Sequence, residues 1–456
     1  MKRFAWPSLV ISSLLAAALA AAETRPQYGG TLHVAMRAAP ATLDPSDSTQ
    51  TDSFTRRNLT LLIFETLLTT DSSGRMHPAL ALSWQAALGN QRWQFRLRRD
   101  VKFHDGTALT AEIAAASLRA ANPSWKVFAE GDSVVIECET NDPEVPGELA
   151  LPRNSIVKRN PDGKPSGTGP FHIVDWQPAK KLTLAAEENY WGGRPFLDAI
   201  EIEVGKNYHD QSIALELGRA DLVEVAPEQV HRASIDGRHV SSSEPMELVA
   251  LLFARDATTP EEKLLREALA LSVERASMRS VLLQGAGQPA PSILPTWMSG
   301  YGFVFPAETD LPRARHLRDQ VRGVTTWTIA YDSSDPIARL LAERVALNAR
   351  DAGLSLQPAA TPAADVRVVR IPLAAADPWI ALANVGPVIG LPAPKINGGS
   401  AEDLYSAEQS LLATRRLIPL FHLPATYAAA GTLRNWKPGP DGSWSLADAW
   451  LENEKQ

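Results

Sequence analysis

The sequence predicts an α/β fold of two or three domains, and three observations carry that expectation. The first is a strand–helix–strand crossover. Thr326-Trp-Thr-Ile-Ala330 has the composition of a strand. Asp335-Pro336 opens a helix with Ile337, Leu340, Leu341 and Val345 on one side, Gly353 stops it, and Leu354-Ser-Leu356 starts a second strand. Parallel strands need such a connection, and the sheets it builds are covered on both faces. The second is period-two alternation, in Leu182 and Leu184 and again in Ile200, Ile202 and Val204. The third is length: 456 residues exceed what one hydrophobic core organises.

The elements follow in order. Gly29-Gly-Thr-Leu-His-Val-Ala35 reads as a strand, followed by Pro40-Ala-Thr-Leu-Asp-Pro45 and the polar loop Ser46 to Ser53. Ile63 to Leu68 and Pro78 to Trp84 carry apolar residues into a core. Trp93, Phe95 and Leu97 alternate with polar residues, so one face of a strand is buried. Asp105-Gly106 is a turn pair, and Thr110 caps a helix running through Ile113 and Leu118. Cys138 ends the alternating run from Ser133 and reads as a buried strand residue. The Pro-, Asp-, Gly- and Lys-rich stretch from Asn141 to Pro165 reads as irregular connection. Leu215 to Leu222 reads as a helix end turning into a strand. Thr259-Pro-Glu-Glu262 is a capping box with proline at the first helical position. Leu264, Leu265, Ala268, Leu271, Met278, Val281 and Leu282 give that helix one long apolar face, and Gly285 ends it.

Composition narrows the function classes. The formal net charge is −7, and two units lower without Lys2 and Arg3. That balance argues against nucleic acid or an anionic membrane surface as partner. Residues 1–22 read as a signal peptide: a basic start, a short apolar run from Leu9 to Ala20, and small residues before Glu23. The run is shorter than the roughly 20 apolar residues of a membrane span. Cys138 is the single cysteine, so no disulfide forms within the chain. No cysteine stands at the cleavage site, which excludes a lipid anchor there and implies a Gram-negative periplasm.

Arg96-Leu-Arg-Arg-Asp-Val-Lys-Phe-His-Asp-Gly-Thr-Ala-Leu-Thr-Ala-Glu112 closely resembles a signature of the bacterial extracellular solute-binding proteins of family 5. That family includes the dipeptide-, oligopeptide- and nickel-binding proteins of ABC importers. Further words stand in the family's order: Gly-Gly-Thr-Leu at 29–32, Thr-Leu-Asp-Pro at 42–45, Gly-Thr-Gly-Pro-Phe at 167–171 and Glu188 to Asp198. Later come Arg266-Glu-Ala-Leu-Ala270 and Pro419-Leu-Phe-His422. The resemblance implies two α/β lobes joined by crossing hinge strands near Glu247–Phe253 and Leu417–His422, with solute enclosed between them. Lobe I is then residues 23–246, with a trimmed small subdomain at about 55–150. Lobe II is 247–420, and 421–456 return to lobe I. The implied partners are a peptide-like or other elongated polar solute and an inner-membrane ABC permease. The protein would act as a monomer without a cofactor. Peptide binders of the family place an aspartate a few residues before an Asp-Pro pair, to meet the peptide's amino group. Here Ala374 stands there, before Asp377-Pro378, which puts free-amine peptides in doubt unless Asp377 or another acid substitutes.

No catalytic or metal chemistry stands out. Gly163 to Gly169 lacks P-loop spacing, and no Gly-x-Ser-x-Gly elbow or His-Glu-x-x-His exists. His209-Asp210 reads as a solvated loop, and His104-Asp105 as part of a turn. Candidate ligand contacts are Trp297, Tyr301 and Phe303, from the aromatic, glycine-broken loop Pro295 to Phe305. The alternative is that these rings pack a lobe. Arg370 and Asp377 are candidates to charge the cleft, the alternative being a surface ion pair. Ser46 and Thr49 are candidates from the first lobe. Two other functions share this frame: a secreted two-lobed hydrolase, and a sensory periplasmic binder without a permease.

Overall fold

The computed structural model describes residues 25–47, 52–71, 74–87, 89–161, 163–323, 326–361, 363–394 and 399–452. Residues 1–22, read above as a signal peptide, and Thr49 lie outside the described residues. The fold is two-lobed α/β, built on one mixed sheet that runs through both lobes.

One end of that sheet is formed by Phe171–Gln177, Lys181–Ala186, Ala199–Glu203, Thr31–Ala35 and Leu222–Glu224, in that order. The other end is formed by Val366–Pro372, Thr326–Ala330 and Ser355–Ala359. Between them lie the two crossing strands, His239–Phe253 and Leu417–Ala429, paired antiparallel. Both are longer than the apolar runs that announce them: the first extends through the polar stretch His239 to Glu244, and the second continues through Leu423 to Ala429. Near the middle, Pro245 faces Pro424, with register irregularities on either side.

Thr326–Ala330 pairs in parallel with Ser355–Ala359 and Val366–Pro372, and helix Pro336–Asp351 makes the crossover. Asp335 caps that helix, accepting from Ile337 N–H at 3.1 Å. Its apolar stripe is narrower than the sequence suggests: Ile337, Leu341 and Val345 are buried, but Leu340 turns outward, 42% exposed. Together with Val249, Leu251, Phe253 and Leu269 this stripe makes one core of the second lobe. The first lobe closes over Leu32, Leu62, Phe171, Leu184 and Ile200. A separate four-stranded sheet carries Phe95 and Ile136 and packs on helix Ala111–Ala121. Thr110 caps that helix as read, accepting from Ile113 N–H at 3.3 Å.

Several local readings change. The long helix after Thr259 is two helices, Pro260–Ser272 and Arg275–Val281. Val273 turns extended, and Asn348 accepts from Glu274 N–H at 3.2 Å, which breaks the ladder where periodicity alone saw none. Only half the capping box forms. Thr259 accepts from Glu262 N–H at 3.1 Å, whereas the Glu262 carboxylate is drawn to Thr258 N–H, Arg255 and Arg266. Cys138 lies just past strand Ser133–Glu137 and is half-buried, and burial raises its thiol pKa. His209 and Asp210 sit in helix Tyr208–Glu216 rather than a loop, because Asn207 caps it. The stretch from Asn141 to Pro165 contains short helices at Val145–Glu148 and Pro152–Asn154.

Candidate functional site: the cleft between the lobes

Beside the crossing strands the two lobes meet over a small polar cavity of about 70 Å³. The second lobe supplies Arg370, which lies within strand Val366–Pro372 rather than after it. Its neighbour on the ladder is the first crossing strand, so Glu247 stands beside it. Arg370 Nε and Nη2 donate to Glu247 Oε2 at 2.8 and 2.5 Å. Nη1 donates to Asp335 Oδ2 at 3.0 Å. Asp335 therefore caps a helix with one oxygen and holds Arg370 with the other. Burial opposes the charge on Arg370, but Glu247, Tyr208 and Asp335 keep its pKa well above the usual value. Burial likewise opposes the charge on Asp335, and Arg370 and Arg37 hold its carboxyl below the usual range.

The first lobe supplies Arg37, Tyr208 and Glu224, and Glu228 lies within electrostatic reach of Asp335 and Arg370. Arg37 follows strand Thr31–Ala35, and its guanidinium lies 5.5 Å from the Tyr208 ring centroid. Its backbone N–H donates to Glu224 Oε2 at 2.5 Å, and Gln211 fixes Glu224 through a further 3.2 Å bond. Among the described residues the Arg37 guanidinium makes no hydrogen bond. Glu228 Oε2 is buried without a hydrogen-bond partner. Burial raises the Glu228 carboxyl pKa, and Asp335 adds to the rise.

Away from the hinge the lobes touch directly around a second cavity of about 160 Å³. Arg57, on helix Phe54–Ile63, donates to the carbonyls of Leu373 and Pro372 at 2.6 and 3.1 Å. Asp52 pairs with the same guanidinium. Leu151 packs against Ala375 and Ile380. Asn384 donates to Glu148 Oε1 at 3.0 Å. Gly147 lies so close to the second lobe that a Cβ there would meet Ile380 Cδ1 at 1.9 Å. Glu144 faces Asp377 across this contact, and burial with Asp377, Asp142 and Glu148 pushes its carboxyl up to about 7.

The structure sorts the candidate residues by place. Arg370 reaches the hinge-side cavity in a buried network, not as a surface pair with Asp377. Asp377 caps helix Pro378–Val388, accepting from Trp379 and Ile380 N–H at 2.9 and 3.1 Å, on the contact surface between lobes. Ala374 lines the second cavity, beside the carbonyls that Arg57 holds. Ser46 accepts from Arg159 at 3.2 Å and donates to Asp44 at 2.7 Å. Trp297 lies on the short helix Thr296–Ser299, 38% exposed. Tyr301 packs in the second lobe against Phe305 and Tyr405, next to Glu408. Phe303 lies in the adjoining helical turn Gly302–Val304. Among the described residues no three or more His, Cys, Asp and Glu gather as metal ligands.

Sequence reasoning missed Arg37, Arg57, Glu228, Glu247 and Asp335 as cleft residues. Asp335 was legible only as a helix cap. Arg37 had one signal, a lone cation directly after the first strand, where a loop enters the interlobe space. The dense sequence words serve the scaffold instead. Glu65 accepts from Tyr190 Oη at 2.7 Å and from Trp191 Nε1 and Thr168 Oγ1, each at 2.8 Å. A Cβ on Gly167 would sit 1.9 Å from the Ile63 carbonyl oxygen, so only glycine fits. His104 contacts Gly169 O at 2.9 Å through Nε2, as a turn residue should.

Comparisons with known proteins agree with this geometry. The family described as bacterial extracellular solute-binding proteins, family 5 Middle, matches residues 75–376. The nickel-binding protein NikA of Staphylococcus aureus is 27% identical over 243 residues, covering 50% of this chain and 49% of that protein. The probable D,D-dipeptide-binding periplasmic protein DdpA of Escherichia coli is 24% identical over 339 residues, covering 67% and 65%. The chain thus aligns with about half to two thirds of the length of these relatives. Among solved structures, the oligopeptide-binding protein AppA of Bacillus subtilis, in complex with a nonapeptide, superimposes with a TM-score of 0.78. It is 17% identical, with 94% of this chain and 100% of AppA covered. The S. aureus NikA structure with Ni(L-His)2 gives 0.77 at 18% identity, covering 92% and 100%. Those likenesses are of fold. The family match spans most of the chain, and its members bind solutes rather than transform them. The chain belongs to the bacterial extracellular solute-binding proteins of family 5.

Proposed function

We propose that this protein captures a peptide-like or other elongated polar solute between its lobes and delivers it to an ABC permease in the inner membrane of a Gram-negative cell. One observation carries the reading. The cleft holds polar groups from both lobes, and among the described residues two groups there make no hydrogen bond: the Arg37 guanidinium, which rests against the Tyr208 ring, and Glu228 Oε2. Groups so placed are costly unless something pairs with them, and a solute enclosed by the lobes would do so. Relatives described as binding nickel, D,D-dipeptides and oligopeptides support the class without fixing its member.

The end of the solute that reaches Ala374 is not a free ammonium in this reading. An alanine replaces the expected carboxylate, and Arg57, a cation, already holds the neighbouring carbonyls. Delivery then needs no chemistry. Solute bridges the lobes, stabilises the closed form, and that form docks on the permease.

Native mass spectrometry of the protein as purified, repeated after mild denaturation and refolding, tests the reading. A bound mass that vanishes on refolding identifies the solute, and its return at about 100 times its dissociation constant should stabilise the fold by roughly 2.7 kcal/mol. N-acetylated peptides should shift the melting temperature more than their free-amine counterparts. No bound mass, and no shift with peptide, sugar or metal libraries, would sink the transport reading in favour of a sensory one.

A further inference from the structure

The second lobe contains a cavity of about 320 Å³ remote from the cleft, between helix Pro260–Ser272, helix Ala401–Ala413 and the start of the second crossing strand. Arg275 forms part of its wall and is 6% exposed. Its Nε donates to Pro419 O at 2.9 Å and its Nη1 reaches Ala270 O at 3.4 Å. Among the described residues Nη2 makes no hydrogen bond, and no carboxylate pairs with the guanidinium. The acids nearby are committed or solvated. Glu274 holds Arg344, Glu267 is shared by Arg313 and Arg415, and Glu308 is exposed at the rim. Burial alone sets the Arg275 pKa, pulling it down to about 10, with no acid opposing the fall.

A buried guanidinium without a counter-charge is exceptional, because buried charges are normally paired. The remaining wall is mixed: Leu271, Phe305 and Leu412 give it an apolar side, and Glu267, Arg313 and Arg415 a charged one. Its other charges are either paired, as Glu267 is with Arg313 and Arg415, or exposed, as Glu308 is, so a cavity of this size is left with one buried, unpaired cation, the make-up of a small-molecule site. A guanidinium presents parallel N–H donors that match a carboxylate fork.

We propose that this cavity is a second binding site, for a small monocarboxylate with an apolar body, its carboxylate on Arg275 and its body against Leu271 and Phe305. The site is separate from the interlobe cleft and stands whether or not the cleft binds peptides. Its occupant would bias the second lobe, because Arg275 also holds Pro419 in a crossing strand.

Isothermal titration of the full protein with phenylacetate, at constant ionic strength set by sodium chloride, tests it. The expected result is saturable one-to-one binding, with phenylacetamide at least tenfold weaker, because the amide lacks the charge. Leu271→Trp, which fills the cavity, and Arg275→Lys, which keeps the charge but loses the fork, should each weaken phenylacetate at least tenfold. Should Arg275→Lys fail to fold, Leu271→Trp decides alone. Equal binding of acid and amide, displacement by chloride alone, no saturable binding, or undiminished affinity in Leu271→Trp would each overturn the proposal.

Discussion

Glu65 sits beneath three donors from Thr168, Tyr190 and Trp191, and burial raises its pKa despite them. Replacing it by alanine leaves two ring donors and a hydroxyl without their acceptor. Glu65→Ala should cost about 3 kcal/mol or more, read as a lower urea midpoint, while Glu65→Gln should cost less. The words Gly-Thr-Gly and Tyr-Trp were plain in the sequence, but nothing there showed that one glutamate joins them, 103 and more residues away. His422 presents a second single-residue test. Burial lowers its imidazole to about 4, against its contact with Ile293 O at 2.9 Å. A base with a depressed folded pKa stays neutral in the folded state while the unfolded chain takes up a proton. Its contribution is therefore intact above about pH 6.5 and lost as pH falls from there towards 4. The loss should approach roughly 3 kcal/mol at the acid end. Unfolding measured from pH 7.5 to 4.5 should show a steeper acid-side decline in the wild type than in His422→Gln.

Helix Pro336–Asp351 shows what a sequence discloses about an element and what it hides. Its start, its end and most of its buried side were legible, because the cap, the proline and the apolar spacing are local features. The second duty of Asp335 was hidden, because Arg370 lies 35 residues on and meets it only once the sheet has formed. The two duties separate by substitution. Asp335→Asn keeps an acceptor for the Ile337 amide and loses the charge facing Arg370, so it should destabilise by about 2–3 kcal/mol. Asp335→Ala should add about 1 kcal/mol for the lost cap. Equal effects in chemical denaturation would show that the cap contributes nothing. The break at Val273 was illegible for a related reason: the apolar pattern continues across it, and Asn348 and Pro419, the partners of Glu274 and Arg275 that fix the turn, come from distant segments.

At the scale of the molecule, the contact between lobes carries a pH term. Burial and then Asp377 of the other lobe raise Glu144 to about 7, so the closed form takes up a proton that an open form, freed of Asp377, would bind only at lower pH. Closure should therefore strengthen as pH falls from about 7 towards 4.5. Solute affinity measured at pH 7.5 and 5.5 should rise on acidification, and Glu144→Gln should remove most of that rise. The two-lobed plan was legible from several sequence words in order. The cleft was not, because its charges come from six separate segments, each unremarkable alone. The facing prolines at 245 and 424 have a mechanical consequence. Neither residue carries an amide hydrogen, so the two-ply ribbon joining the lobes lacks stitches along one line. Such a ribbon creases there and stays stiff elsewhere, as a book opens along its spine. Pages bound so would meet in the same alignment each time they shut, and a new cargo would require new lettering on the pages while the binding stays as it was.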